Sequence, residues 1–150
     1  MRGLPPDFAH PLRVDVGEAH HLRPIRATDI DLDMVAVMGS QQRLWTIFGG
    51  AWGWPEPTMT RQQDWADLAR HEAEAQAHES FNYAFFDNGE TALLGCVYID
   101  PPETTGADCE ISWWVVDSLV GTAIEATLAD FVPQWIAEVW PFASPRYDFN

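Results

Sequence analysis

The chain has 150 residues and a formal charge of −15, because 23 acidic residues stand against 8 basic ones, all arginine. The length fits one domain with a real core, and an apolar content of 47% excludes a disordered chain. The charge excludes a general nucleic-acid binder and a protein that binds anionic membranes, since phosphate contacts need a basic surface. It favours a cationic small-molecule partner.

Residues 1–20 are predicted to form an irregular arm, followed by a single domain over residues 21–150. The arm is rich in proline and has no apolar segment typical of a signal peptide. No apolar stretch of the chain is long enough to cross a bilayer. The two cysteines, Cys96 and Cys109, lack the spacing of a zinc site and are expected to be reduced thiols in a cytoplasmic protein.

Hydrophobic periodicity predicts the order strand, two helices, three strands and one helix. The predicted strands cover residues 20–26, 81–86, 92–99 and 109–116. One predicted helix begins near residue 28, and the other two cover residues 61–78 and 122–140. The strand at 92–99 is continuously apolar, which indicates burial on both faces. The pattern favours an α/β (α+β layered) fold with a central, mostly antiparallel sheet flanked by helices.

The predicted helix at 61–78 has a narrow apolar face. Its inward residues are expected to be Trp65, Leu68 and Ala69. His71, Glu74 and His78 share another face and have a spacing that could hold a metal. Solvated residues of this kind are common on helices, so no metal site is predicted.

The segment from Leu44 to Trp54 combines glycines with large aromatic side chains. Its aromatic residues are Trp45, Phe48, Trp52 and Trp54. Two interpretations stay open for them: they cover one end of the core, which is the commoner role of aromatics, or they form the pocket of an acceptor substrate.

The junction between residues 115 and 123 leads from a strand through a loop into a long helix. The first amides of such a helix have no partner inside the helix and form a natural anion site. Gly121 and the small Ala123 would let a ligand approach the backbone closely. Simple packing of the helix on the strand explains the same residues about equally well.

At this point the sequence resembles the GNAT family of N-acetyltransferases. The strand and helix start at residues 22–29 are similar to the first elements of that family, and residues 94–99 and 110–115 are similar to its third and fourth strands. Gly121 to Ala123 matches the end of the family's cofactor motif. A closer likeness to a short bacterial subgroup of acetyltransferases rests on several short motifs, which include Leu44-Trp45, Gly53-Trp54-Pro55 and Trp140-Pro141-Phe142.

The resemblance implies acetyl-CoA as donor and a primary amine of a small molecule as acceptor. It implies that the amides at the helix start hold the pyrophosphate, and that an amide near Val115 polarises the thioester carbonyl. The residues that it assigns to the cofactor are Trp114, Val115, Val116, Leu119, Val120, Gly121, Thr122 and Ala123.

The same resemblance implies a general base on the strand at 109–116. Glu110 stands where many members of the family carry that base, and Asp108 is the alternate. Glu110 would equally suit a structural role as a strand-end carboxylate paired with an arginine. Tyr147 is the candidate for protonating the leaving thiolate, with Tyr98 as the other tyrosine in reach.

The sequence also departs from the family pattern, which leaves a second hypothesis open. Ser118 and Val120 stand where the family carries Gln or Arg and a basic residue, so we expect weakened acetyl-CoA binding. The C-terminal elements of the fold are expected to be short or missing, with a fifth strand within residues 142–147. Apolar surface left exposed would favour a homodimer. The alternative function is therefore a catalytically inactive binding or dimerisation module of the same fold.

Overall fold

A six-stranded sheet forms the centre of the molecule. The computed structural model describes residue 1 and residues 4–149. The strands, in chain order, are β1 (Val14–Val16), β2 (His20–Pro24), β3 (Phe81–Asp87), β4 (Leu93–Asp100), β5 (Cys109–Val115) and β6 (Pro145–Tyr147). They lie side by side in the same order.

The strand pairings run antiparallel from β1 to β5, whereas β5 and β6 are parallel. Short connections join β1 to β2, β3 to β4 and β4 to β5, whereas a long helical segment joins β2 to β3. The turn after Asp87 is the predicted hairpin. The parallel pair requires a crossover, which the last helix supplies. The mixed, mostly antiparallel sheet confirms the predicted fold class.

Four helices cover the two faces of the sheet. They are α1 (Ile30–Gly39), α2 (Gln41–Trp52), α3 (Arg61–Gln76) and α4 (Ala123–Val139). A core cluster that includes Leu128 and Trp135 of α4 covers one face, and a second cluster that includes Val37, Phe48 and Leu68 of α1 to α3 covers the other. In the part of the chain that the structure describes, no helix is long and apolar enough to cross a membrane.

Three local expectations were wrong. The predicted arm contains β1, which pairs with β2 at the edge of the sheet. The aromatic segment, for which no helix was predicted, forms α2, so three helices precede β3 rather than two. On α3, Trp65 is 49% exposed while Asp64 is only 2% exposed. The physical reason for the last reversal is that α3 faces a polar cavity instead of a dry core.

The contact between β4 and β5 depends on Gly95. A Cβ at this position would lie 2.1 Å from the backbone oxygen of Trp114 on the neighbouring strand. No other side chain can replace hydrogen here without moving a strand, so the close approach requires glycine.

A buried ion-pair network ties β2 to the β3–β4 hairpin. The guanidinium of Arg23 donates to both oxygens of Asp29 at 2.7 and 2.9 Å and to both oxygens of Glu90 at 2.8 and 3.0 Å. A ring nitrogen of His21 lies 2.7 Å from Glu90. The hydrogen bond from Arg23 is the main reason why the pKa of Glu90 falls to about 2.

Candidate active site

Strand β5 has an open edge beyond its short pairing with β6. That pairing covers Cys109 to Ile111, and within residue 1 and residues 4–149 no strand pairs with the rest of β5 on that side. Val116 donates to the Leu94 carbonyl of β4 at 2.9 Å, and neighbouring residues of a strand point to opposite sides. The backbone of Val115 therefore points to the open edge, while Trp114, opposite Cys96, points to β4.

Part of this open edge is already occupied. Arg43 of α2 donates from Nη2 to the carbonyl of Val115 and from Nε to Asp117 at 2.6 Å. The N–H of Val115 stays directed to the open side. Of Trp114 and Val115, both assigned to the cofactor, only Val115 offers its backbone to a ligand there.

The start of α4 is closed by one of its own side chains. The carboxylate of Glu125 accepts from the N–H of Gly121 at 2.9 Å, so a negative oxygen sits where a phosphate oxygen was expected. The hydroxyl of Thr122 accepts from the N–H of Glu125 at 3.5 Å and caps the helix. Within the described chain, the amides of Ala123 and Ile124 have no hydrogen-bond partner.

The other amides of the predicted anion site are bonded within the loop. Leu119 donates to Val116, Val120 to Asp117, and Thr122 to Leu119, at 2.9 to 3.2 Å. A short 3-10 turn over Asp117–Leu119 explains this pattern. The site therefore offers fewer free amides than the sequence indicated.

A cleft of about 350 Å³ lies beside the start of α4. Its lining is Trp113, Gly121, Thr122, Glu125, Ala126 and Ala129. Gly121 has a φ of +78°, and a Cβ built there would meet nothing within 4 Å. The cleft combines small side chains with an open backbone, which suits close approach of an extended ligand.

A larger cavity of about 1030 Å³ lies on the opposite face of the sheet, below α3. Its floor consists of polar side chains of β3, β4 and β5, and its roof includes Asp64, His71 and Glu74 of α3. Burial is the main cause of a lowered pKa of about 4 at His71, so this imidazole is neutral at pH 7.

The floor of the cavity carries a perturbed carboxyl that the sequence analysis missed. Asp100 ends β4 opposite Glu110 of β5, and it accepts from the hydroxyl of Ser80 at 2.6 Å. Burial, followed by nearby carboxylates such as Glu74 and Glu110, raises the pKa of Asp100 to about 6. A carboxyl with this pKa can take and return a proton near neutral pH. Its sequence signal was an acidic residue directly after an apolar strand.

Two of the four aromatic residues of the predicted pocket line the cavity, and the other two do not. Trp52 and Trp54 line the cavity. Phe48 is fully buried and stacks on Trp52 with ring centroids 4.7 Å apart, so it supports the rim from below. Trp45 is 41% exposed on α2 and does not line the cavity. Phe48 therefore belongs to the core, while the role of Trp52 and Trp54 in an acceptor pocket stays a prediction.

The three predicted catalytic residues lie apart from one another. Glu110 lines the cavity, and its Oε1 accepts from the amides of Glu103 and Thr104 at 3.0 Å. Asp108 binds the amides of Ala143 and Ser144 at 2.6 and 3.0 Å and thereby fastens the chain before β6. Tyr147 packs edge-on against Trp113 in the core cluster on the α4 side of the sheet.

The residues of the metal hypothesis do not converge. His71 and Glu74 line the cavity, whereas His78 lies beyond the end of α3, with its ring nitrogen 3.3 Å from that of His10. Among the described residues, no group of three or more His, Cys, Asp or Glu side chains could hold a metal ion.

The comparisons with known proteins agree with this architecture. A family model described as an acetyltransferase (GNAT) domain matches residues 21–144. The chain belongs to the GNAT acetyltransferase family. Its class of activity is accordingly N-acetyl transfer. No curated protein matches the sequence.

Solved structures of this fold support the family assignment. A ribosomal-protein-S5-alanine acetyltransferase from Vibrio fischeri is 13% identical with a TM-score of 0.65, over 84% of this chain and 67% of that one. An acetyltransferase from Salmonella typhimurium that modifies the N-terminal serine of ribosomal protein L7/L12 is 13% identical with a TM-score of 0.66, over 83% and 67%. The microcin C7 self-immunity acetyltransferase, solved with acetyl-CoA and AMP, is 13% identical with a TM-score of 0.63, over 87% and 70%.

The cleft beside α4 has several features that suit acetyl-CoA and one that opposes it. The open backbone at Gly121, the small residues of the cleft and the directed N–H of Val115 suit an extended cofactor. The Glu125 carboxylate must leave Gly121 before a phosphate can bind there, because the two anions compete for the same N–H. The residues that would hold the cofactor are Val115, Gly121, Ala123 and Ile124.

Proposed function

We propose that the chain transfers an acetyl group from acetyl-CoA to a primary amine of a small molecule held in the large cavity. The observation that carries this proposal is the position of the two recesses. The cavity and the α4 cleft lie on opposite faces of the sheet, and residues of β5 line both. An amine and a cofactor could therefore meet at the open edge of β5.

The acceptor must lose a proton before its nitrogen can attack. Asp100 and Glu110 lie side by side on the cavity floor. Val115 pairs with Gly95, five residues along β4 from Asp100, so either carboxylate would accept that proton through intervening waters. We assign the main role to Asp100, because its raised pKa suits proton transfer near neutral pH. Asp108 uses both of its oxygens in backbone hydrogen bonds, which favours Glu110 as the second carboxylate.

The remaining residues bind and orient. Acetyl-CoA, when bound, supplies an acetyl group activated as a thioester. The N–H of Val115 would hold the carbonyl oxygen of that thioester. Trp52 and Trp54 line the cavity, and aromatic faces attract an ammonium group.

The test is the release of coenzyme A thiol from acetyl-CoA in the presence of octylamine. We expect Asp100→Asn to slow the release by about 10²-fold or more, as for loss of a general base. The control is Asp130→Asn, which removes an exposed carboxylate from α4, away from the cavity. Equal rates for the two variants would refute the assignment of Asp100. No release by the unaltered protein, with either octylamine or diaminooctane at saturating concentration, would refute the function.

A further inference from the structure

The inner end of the large cavity contains two buried carboxyls without a cationic partner. Asp33 of α1 and Asp64 of α3 are 3% and 2% exposed, and both line the cavity. None of the ion pairs in the described part of the chain includes either residue. Burying such a pair without compensation is costly, so the pair calls for a proton or a cation.

The electrostatic surroundings of this pair are negative. Burial raises the pKa of Asp33, and the nearby carboxylates Asp64, Asp29 and Asp67 raise it further. Two like charges cannot both ionise cheaply at close range, so this pair favours a shared proton or a bound cation. Nine carboxyl side chains line the whole cavity, against two arginines.

Among the residues that the structure describes, two buried side-chain oxygens in the lining of this cavity lack hydrogen-bond partners. They are Oδ2 of Asp64 and Oδ1 of Asn82, whose side chain belongs to a residue that is only 5% exposed. Both residues line the cavity. Both atoms are acceptors, and an ammonium group offers three N–H donors. A donor-rich cation such as an ammonium group would satisfy these acceptors.

The two ends of the cavity are separated by the part of β4 between Cys96 and Asp100. The Asp33–Asp64 pair lies close enough to Cys96 to raise the pKa of its thiol, after burial as the main cause. Asp100 lies four residues further along β4, a distance of about 13 Å. Between these ends stand the aromatic side chains of Tyr98 and Trp52, which suit a methylene chain.

We propose that the acceptor is a linear aliphatic diamine or polyamine, one amine of which loses its proton towards Asp100 and is acetylated, while a second ammonium binds to Asp33 and Asp64. This inference rests on the proposed function for the acetylated end only. The distal site is a binding site in its own right, and it would hold the ammonium with or without acetyl-CoA.

The experiment is calorimetric titration of the protein without acetyl-CoA, with three probes. Diaminooctane carries ammonium groups at both ends, octylamine has the same chain with one ammonium, and diaminobutane is too short to reach both ends. We expect diaminooctane to bind at least about tenfold more tightly than either control, since a hydrogen-bonded charge contributes that much. Equal affinities for diaminooctane and octylamine would overturn the proposal.

A matched pair of variants locates the second ammonium. Asp64→Asn is expected to lower the affinity for diaminooctane to that for octylamine, and Asp130→Asn is expected to leave both unchanged. Asp64→Asn should not lower the melting temperature of the free protein, because it removes an uncompensated charge. Unchanged diaminooctane binding by Asp64→Asn would contradict the proposal. The probe comparison uses the unaltered protein and remains decisive if the variant does not fold.

The failures of the two proposals are distinguishable. Diaminooctane binding that depends on Asp64, without any release of coenzyme A thiol, supports the distal site and refutes the transferase function. Thiol release with octylamine that equals the release with diaminooctane, together with equal binding, refutes the distal site alone. Tighter binding of a neutral peptide with a free N-terminus than of diaminooctane would also overturn it, and would indicate a protein acceptor.

Discussion

The carboxylate of Glu125 should weaken acetyl-CoA binding, and Glu125→Gln should strengthen it. The side chain occupies the N–H of Gly121 at 2.9 Å and places a negative charge at the start of α4. A unit charge about 4 Å from a phosphate costs about 1 kcal/mol in water and about 4 kcal/mol at a protein surface. Because the site is open to solvent, we expect about 2 kcal/mol, which is about 30-fold in affinity.

The assay is calorimetric titration of acetyl-CoA into Glu125→Gln, with Glu138→Gln as the matched control. Glu138 lies in the last turn of the same helix and accepts only from Gln134, at 3.0 Å. Glu125→Gln should also lower the melting temperature of the free protein slightly, because it removes a favourable charge at a helix start. Unchanged or weaker acetyl-CoA binding by Glu125→Gln would refute the competition between carboxylate and phosphate.

Three further predictions concern pH and packing. The rate of acetyl transfer should rise as the pH increases through about 6, because Asp100 acts in its ionised form, and Asp100→Asn should remove this part of the profile of kcat/KM. Gly95→Ala should destabilise the fold by about 1–3 kcal/mol in urea unfolding, while Gly50→Ala, where a Cβ meets nothing within 4 Å, should not. The stabilisation from Glu90 is present above its ordinary pKa of 4.5 and should be lost as the pH falls towards 2. Urea unfolding at pH 5 and pH 3 should therefore show a smaller acid loss for Glu90→Gln than for the unaltered protein.

The sequence predicted the central elements well, because their signals are local. The apolar run of β4 and the hairpin turn after Asp87 are recognisable without any tertiary information. Helix α2 was missed because its glycines suggested a loop. The ring of Trp45 lies where a Cβ of Gly49 would be, at 2.7 Å, so this glycine makes room for an aromatic side chain within the helix.

The site was harder to predict, because its chemistry depends on contacts between distant residues. Nothing local indicates that Asp33 and Asp64 meet at the inner end of a cavity. The carboxylate that occupies the start of α4 did have a signal in the sequence, because Thr122 and Glu125 have the spacing of a capping box. In the structure the carboxylate bonds to Gly121, one residue before the cap, which the pattern alone does not specify. The homodimer stays a prediction.

The most direct test of the account is mass spectrometry of the products formed from acetyl-CoA and diaminooctane. The account predicts diaminooctane acetylated on one nitrogen, formed by the unaltered protein and by Asp130→Asn and strongly reduced with Asp100→Asn. The absence of any acetylated amine with saturating acetyl-CoA would contradict it, as would equal product from the Asp100 variant.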